Sequence, residues 1–304
     1  MILVALAVLA STAFGVVSEH RFAGAPRAAR AALGVMLYVL VPFVSFVNIA
    51  HLRLSGGAGI GLVAAYVAIA AAGTAAWLIG SKWLRLPRPA VGALILCVVV
   101  VNTGYLGLPM TVALLGTHSL SSAVGYDQIV SGPMFLLVGF AVGAAFGVRA
   151  GSTRRERFRS FITRNPPLLA VIAGLIAPAS LAPPALVKAS HVVVALLLPL
   201  GFFAVGVNLS AERREDRAPL LERPDRRVAV AVGLRVCAVP LVLAGVSALI
   251  IRLPSAYLLQ AAMPTGINSL IVGHAYGLEQ RLIATIIVWS TSVVMLVGLG
   301  IALL

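Results

Sequence analysis

The chain runs to 304 residues, of which 61% are apolar and only 11% charged, with a formal net charge of +14. A soluble domain is about half apolar and a quarter charged, so this chain lacks the polar residues to cover a water-facing globule, and a bilayer is its natural solvent. A basic balance points to nucleic acid when the cations gather on one face. Here they sit in short clusters between apolar runs, which excludes that partner and makes the charge a topology signal.

A crossing helix needs about 20 predominantly apolar residues. Ten such runs follow one another, near 1–18, 31–50, 58–80, 89–116, 126–148, 165–182, 187–208, 228–250, 254–276 and 281–303. The first has no basic residue before it, while Glu19, His20, Arg21, Arg27 and Arg30 follow it. A signal peptide has the reverse order, so the run reads as a first span with its N-terminus outside. Ten spans then put the C-terminus outside too, in an inner (plasma) membrane. The two cysteines, Cys97 and Cys237, fall inside apolar runs and read as small buried hydrophobes.

The cations test this count. With the N-terminus outside, nineteen of the 23 Lys and Arg residues fall in odd-numbered, cytoplasmic loops, while the even loops hold only Arg53, Lys188 and Arg252, and Arg235 lies within a span. That asymmetry is the positive-inside pattern. The Arg-rich stretches 149–164 and 210–227 read as solvated topology anchors, or alternatively as docking sites for a partner or anionic lipid.

Two echoes recur along the chain. Phe46-Val47-Asn48-Ile49 ends the second run and Gly206-Val207-Asn208-Leu209 the seventh; Arg85-Leu86-Pro87 precedes the fourth and Arg252-Leu253-Pro254 the ninth. The offsets divide the chain into two five-helix halves, 1–148 and 165–304, joined by the basic linker 149–164. Because five is odd, the halves enter the membrane from opposite sides, as inverted repeats do in secondary transporters.

The fourth and ninth runs are interrupted. Asn102-Thr103-Gly104-Tyr105-Leu106-Gly107-Leu108-Pro109 places two glycines and a proline mid-run, and Met263-Pro264-Thr265-Gly266-Ile267-Asn268-Ser269 does the same in the other half. Proline removes a backbone donor and clashes with the preceding turn, and glycine lets the backbone leave helical geometry. Either run alone reads as a proline kink. Two in matching positions point to a binding site, because unwound backbone at membrane depth must line a cavity or pack in protein. Each break also exposes a half-helix N-terminus, whose free N–H groups attract anions. The candidate binding residues are therefore Asn102, Thr103, Gly104, Pro109, Pro264, Thr265, Gly266, Asn268 and Ser269.

Four further polar residues are candidates for coupling or support. Arg235, roughly two turns into the eighth run, either pairs with substrate or a carboxylate or snorkels to the membrane edge. Asp127 and Gln128 open the fifth run on the outer side; Asp127 either carries a coupling proton or serves as a helix-opening carboxylate. His274 either titrates or makes a structural hydrogen bond. Asn48 and Asn208 read as helix-ending polar residues. No run carries an acidic residue at its middle, and no HExxH, GxSxG or Walker A pattern occurs, so neither an enzyme nor a metal or other cofactor is indicated.

The fourth-run segment from Asn102 to Pro109 resembles the corresponding motif of the auxin efflux carrier family. Gln260-Ala261-Ala262-Met263-Pro264-Thr265-Gly266-Ile267, with His274-Ala275-Tyr276-Gly277, resembles the ninth-span motif of its plant PIN-type members. Tyr126-Asp127-Gln128 and Gly233-Leu234-Arg235 also resemble family positions. The resemblance implies an all-α polytopic membrane fold of ten helices, in two inverted five-helix repeats with crossed helices 4 and 9, like bile acid and sodium/proton transporters. It implies a scaffold of helices 1, 2, 6 and 7, a transport domain of helices 3–5 and 8–10, elevator-like movement, and a homodimer. Bacterial relatives are described as malonate or other carboxylate permeases. The linker near 149–164 is far shorter than the hydrophilic loop of the plant members, and Asn268-Ser269 stand where that pattern is more apolar.

The reading is thus a secondary active or potential-driven carrier of small organic anions. One alternative is a membrane-embedded carboxylate sensor without transport. Another is a sodium-coupled organic anion symporter, which wants carboxylates around the crossing, where the sequence places none. A channel would want a charged selectivity ring.

Overall fold

The computed structural model describes residues 2–50, 59–216 and 224–302. Arg53, Arg217 and Arg223 of the charge pattern, and the side chains of Asn48, Arg213 and Arg214, lie outside the described residues.

Among the described residues every regular element is helical. In chain order the helices are α1 (Ile2–Arg21), α2 (Ala25–Val47), α3 (Gly59–Trp83), α4 (Arg88–Val99), α5 (Thr103–Leu115), α6 (Thr117–Phe146), α7 (Arg154–Thr163), α8 (Pro166–Ile176), α9 (Pro184–Asp216), α10 (Arg226–Leu249), α11 (Ser255–Ala261), α12 (Asn268–Tyr276) and α13 (Gln280–Ala302). Six of them, α2, α3, α6, α9, α10 and α13, are long and apolar enough to cross a membrane. These fall on the second, third, fifth, seventh, eighth and tenth expected runs. The fourth and ninth runs are each divided in two, α8 is only 11 residues long, and α1 is not among the six.

Local chemistry sets the boundaries. Prolines open α8 and α9, where a missing N–H costs no helical bond. The Asn165 side chain accepts from Leu168 N at 3.2 Å to cap α8, while its amide donates to Leu136 O at 2.7 Å. Gly116, at φ +82°, separates α5 from α6, a conformation that glycine adopts without strain. Consequently α6 starts at Thr117 and not near residue 126, where the apolar run begins.

Two tight helix pairs rest on small residues. α1 lies along α9 at Gly15 and Gly206, where a Cβ on Gly206 would come within 3.1 Å of Val16 N. α2 lies along α8 at Gly174, where a Cβ would sit 2.9 Å from Phe46 O. Such close backbone approach replaces the missing hydrophobic driving force between helices in lipid. α4 is buried from Ala90 through Val99, as befits a helix that is apolar all round. It packs against α3, α6 and α13. Large apolar side chains such as Leu9, Phe14, Val63, Val67, Leu241 and Leu296 face outward. Cys97 is buried, but Cys237, expected to be buried too, is exposed on α10, because the surface of a bilayer-embedded helix is itself apolar.

Candidate functional site at the crossing of two broken helices

The two interruptions meet. Past Val99 the chain turns extended at Val100, and Val101 pairs antiparallel with Thr265. Asn102 N donates to Pro264 O and Gly266 N to Val100 O, both at 2.9 Å. The unwound backbone of each break thus satisfies the other, which removes the main cost of non-helical chain at membrane depth. Gly266 suits this close approach, since a Cβ there would lie 3.0 Å from Val101 O. The Thr265 hydroxyl donates to Cys97 O at 2.7 Å, and Thr265 N donates to the Ser290 hydroxyl on α13 at 3.2 Å.

Arg235 joins the first half-helices. It projects from a wide turn of α10, Gly233–Ala238, and is fully buried. Its guanidinium donates to Val98 O at 3.2 Å and to Ala261 O. These carbonyls belong to the last turns of α4 and α11, where partial negative charge accumulates. Arg235 is fully buried, so it does not snorkel to the membrane edge, and among the described residues it pairs with no carboxylate. Its partners are main-chain carbonyls, which no side-chain pattern announces.

The second half-helices start beside the pair. At the start of α12, Ser269 N and Leu270 N donate to Gly266 O and Ile267 O at 3.0 and 2.9 Å, so that half-helix presents its positive end through its dipole and its polar side chains. Around the two half-helix starts lie polar side chains with unused capacity. Asn102 is 2% exposed, yet neither atom of its amide finds a partner. The Ser269 hydroxyl is fully buried and unpartnered, as is Asn268 Oδ1. Gln260 donates weakly to the Thr111 hydroxyl at 3.4 Å and leaves Oε1 unbonded. Pro109 opens the regular part of α5, after the wide turn Thr103–Gly107. Thr111 and Ser290 were not among the candidates; their signal was polarity within an apolar run.

Asp127 is not a helix-opening residue. It lies ten residues after Thr117, about 15 Å along α6. It accepts from the Thr103 hydroxyl on Oδ1 and from Gln128 Nε2 on Oδ2 at 3.0 Å, and a Cβ on Gly104 would sit 3.4 Å from it. A carboxylate therefore stands at the crossing, where the sequence placed none. His274 is apart, about 9 Å along α12 from Asn268. Its Nδ1 is 3.2 Å from Gln280 Nε2, and its carbonyl accepts from Arg149 at 2.9 Å. Asn208 donates back to Ala204 O at 2.7 Å within α9, and does not end that helix.

Membrane-crossing helices together with a polar crossing lined by unpartnered donors and acceptors define the class: a multi-pass membrane transport protein. The chain belongs to the auxin efflux carrier family, whose family model, described as membrane transport protein, matches residues 2–144 and 158–301. It is also 25% identical over 233 residues to an uncharacterized transporter of Methanocaldococcus jannaschii, a match that covers 74% of this chain and 72% of the relative. Both names point to a transporter and not to an enzyme.

Proposed function

We propose that the protein is a secondary active or potential-driven carrier of small organic anions, carboxylates foremost, working by elevator-type alternating access in an inner (plasma) membrane. In this reading ten helices cross, as two inverted five-helix repeats at 1–148 and 165–304, with both termini outside and 149–164 as a cytoplasmic linker. The scaffold is α1, α2, α8 and α9, through which two copies associate. The moving domain is α3–α6 with α10–α13. The pairing of helices supports the repeat: α1 on α9 and α2 on α8 exchange when the first span is matched to the sixth and the second to the seventh.

The observation that carries the substrate class is the Asn102 amide, buried and unbonded at the point where two half-helix N-termini approach. A buried polar group left unpaired costs about 1–3 kcal/mol, and a bound anion with its own acceptors relieves that. The half-helix dipoles supply positive potential without a formal charge. The broken helices in matched positions match the general plan of secondary transporters.

The test is substrate-induced current from proteoliposomes on a solid-supported membrane, using acetate, malonate and succinate. A saturable current or labelled-substrate counterflow with one of these, shifted to about 10–100-fold higher concentration in Asn102→Ala, is the expected result. Binding of them with neither current nor counterflow would instead favour a membrane-embedded sensor.

A further inference from the structure

We propose that Asp127 is the proton-binding side chain of the crossing, so that an anion and a proton move together, one of each per cycle. This rests on the carrier reading above and deepens it by naming the coupling ion and the residue that holds it.

The geometry sets Asp127 apart from the other described acidic side chains. Asp225 and Glu279 both pair with Arg227, at 2.6 and 3.0 Å. Glu19 lies against His20 and the Ser210 hydroxyl. Glu156 closes a helix cap in the linker. Asp127 is held at membrane depth by neutral side chains, the Thr103 hydroxyl and the Gln128 amide. An acidic residue within a membrane span is expensive, and it marks proton or ion pathways more often than structure.

Those two partners suit a group that changes protonation state. A hydroxyl and a primary amide each donate and accept. They can donate to the carboxylate and, after rotation, accept from the carboxylic acid. An arginine or lysine in their place would lock the charged form. The charged and titratable groups on the packed elements leave this freedom intact. Tyr105 on α5 and Tyr66 on α3 are phenols, and the Tyr66 hydroxyl is committed to Ile129 O. The rings of Tyr126 on α6 and Tyr257 on α11 meet in a tilted contact with centroids 5.7 Å apart. Arg235 is committed to Val98 O and Ala261 O.

The position supplies the coupling. Asp127 bonds the first residue of α5 and lies against the second, beside the same half-helix N-terminus that the anion would use. The half-charge of one helix end cannot neutralise two anions. A carboxylate substrate therefore favours the protonated form of Asp127, and by reciprocity the proton favours the substrate. The proton comes from the water that reaches the site with the anion, adds to a carboxylate oxygen, and leaves on the other side when the anion leaves.

Wild-type protein in proteoliposomes, carrying a pH-sensitive dye inside, is assayed with labelled acetate, malonate and succinate. Expected are accumulation driven by an inward proton gradient, dye acidification on substrate addition, and an affinity that falls toward tenfold per pH unit once Asp127 ionises. In Asp127→Asn, a neutral isostere whose folding is checked by thermal unfolding, substrate exchange loses its pH dependence whatever its absolute rate. Saturable transport without proton entry in the wild type overturns this inference and leaves the carrier reading standing. Retained proton-driven accumulation in Asp127→Asn also overturns it. No saturable transport of any of the three probes overturns the carrier reading, and this inference with it.

Discussion

The guanidinium of Arg235 reaches the main-chain carbonyl of Val98 at 3.2 Å while its other nitrogen bonds the carbonyl of Ala261. One side chain on α10 thereby ties together the ends of α4 and α11, which are far apart in sequence. A cation this deep would be costly alone. Two helix C-termini, each with unsatisfied carbonyls and partial negative charge, compensate it. The joint has three parts: two half-helices, the antiparallel pair at Val101 and Thr265, and the arginine that closes it.

Removing that arginine should cost stability. Arg235→Met leaves carbonyls of both half-helices without their donor, at about 1–3 kcal/mol each. The expected loss is roughly 2–5 kcal/mol, read in detergent as an unfolding temperature lower by roughly 3–8 °C. Arg235→Lys should fall between, because an ammonium is a point charge and not a planar fork. An unchanged unfolding temperature in Arg235→Met would mean that the arginine does not hold the crossing.

Asn102→Ala should separate binding from folding. The amide has no partner, so truncation removes no hydrogen bond from the empty protein, and the backbone bond from Asn102 N to Pro264 O remains. Stability is expected to stay the same or rise. Anion affinity should drop about 10–100-fold, the worth of one hydrogen bond to a charged ligand. Titration of purified protein with the transported carboxylate decides it, and equal affinity would remove Asn102 from the site.

The breaks were legible because glycine and proline announce them locally: Gly104, Gly107 and Pro109 in one run, Pro264 and Gly266 in the other. What joins the breaks was not. The bonds from Asn102 to Pro264 and from Gly266 to Val100 are main-chain contacts across more than half the chain, and main-chain contacts leave no residue pattern. Asp127 was misplaced for a different reason. The segment from Thr117 to Gln128 holds three serines and a glycine and lies largely before the apolar run, yet it forms the first turns of α6 once Gly116 turns the chain. Packing against α5 and α11 overrides its weak helix propensity.

The close pair at Gly15 and Gly206 should tolerate no side chain. Gly206→Leu would push against α1 backbone, with even the first carbon 3.1 Å from Val16 N, and neither helix can yield without parting from the other. Folded yield after detergent extraction is expected to collapse. Gly34→Ala is the matched control: a Cβ there meets nothing within 4 Å, and alanine mid-helix should add about 0.5–1 kcal/mol. Similar yields for Gly206→Leu and wild type would mean that α1 and α9 are not in backbone contact.

Acid should loosen the linker helix. Glu156 accepts from Thr153 N at 3.2 Å and from Ser152 N at 2.7 Å, while the Thr153 hydroxyl accepts from Glu156 N at 3.2 Å, a reciprocal cap on α7. The backbone hydrogen bond from Thr153, then those from Ser152, hold this carboxyl below its ordinary value of 4.5. A group with a depressed folded value contributes stability above its unfolded value and loses it as pH falls through the folded one. Hydrogen exchange in α7, corrected for the intrinsic pH dependence of the amides, should therefore show less protection at pH 3 than at pH 7. Glu156→Gln should flatten that difference. Thr153→Ala should lower protection at both pH values, about fivefold for a lost N-cap. If protection of α7 rose on acidification in the wild type, the cap would not be what sets the start of this helix.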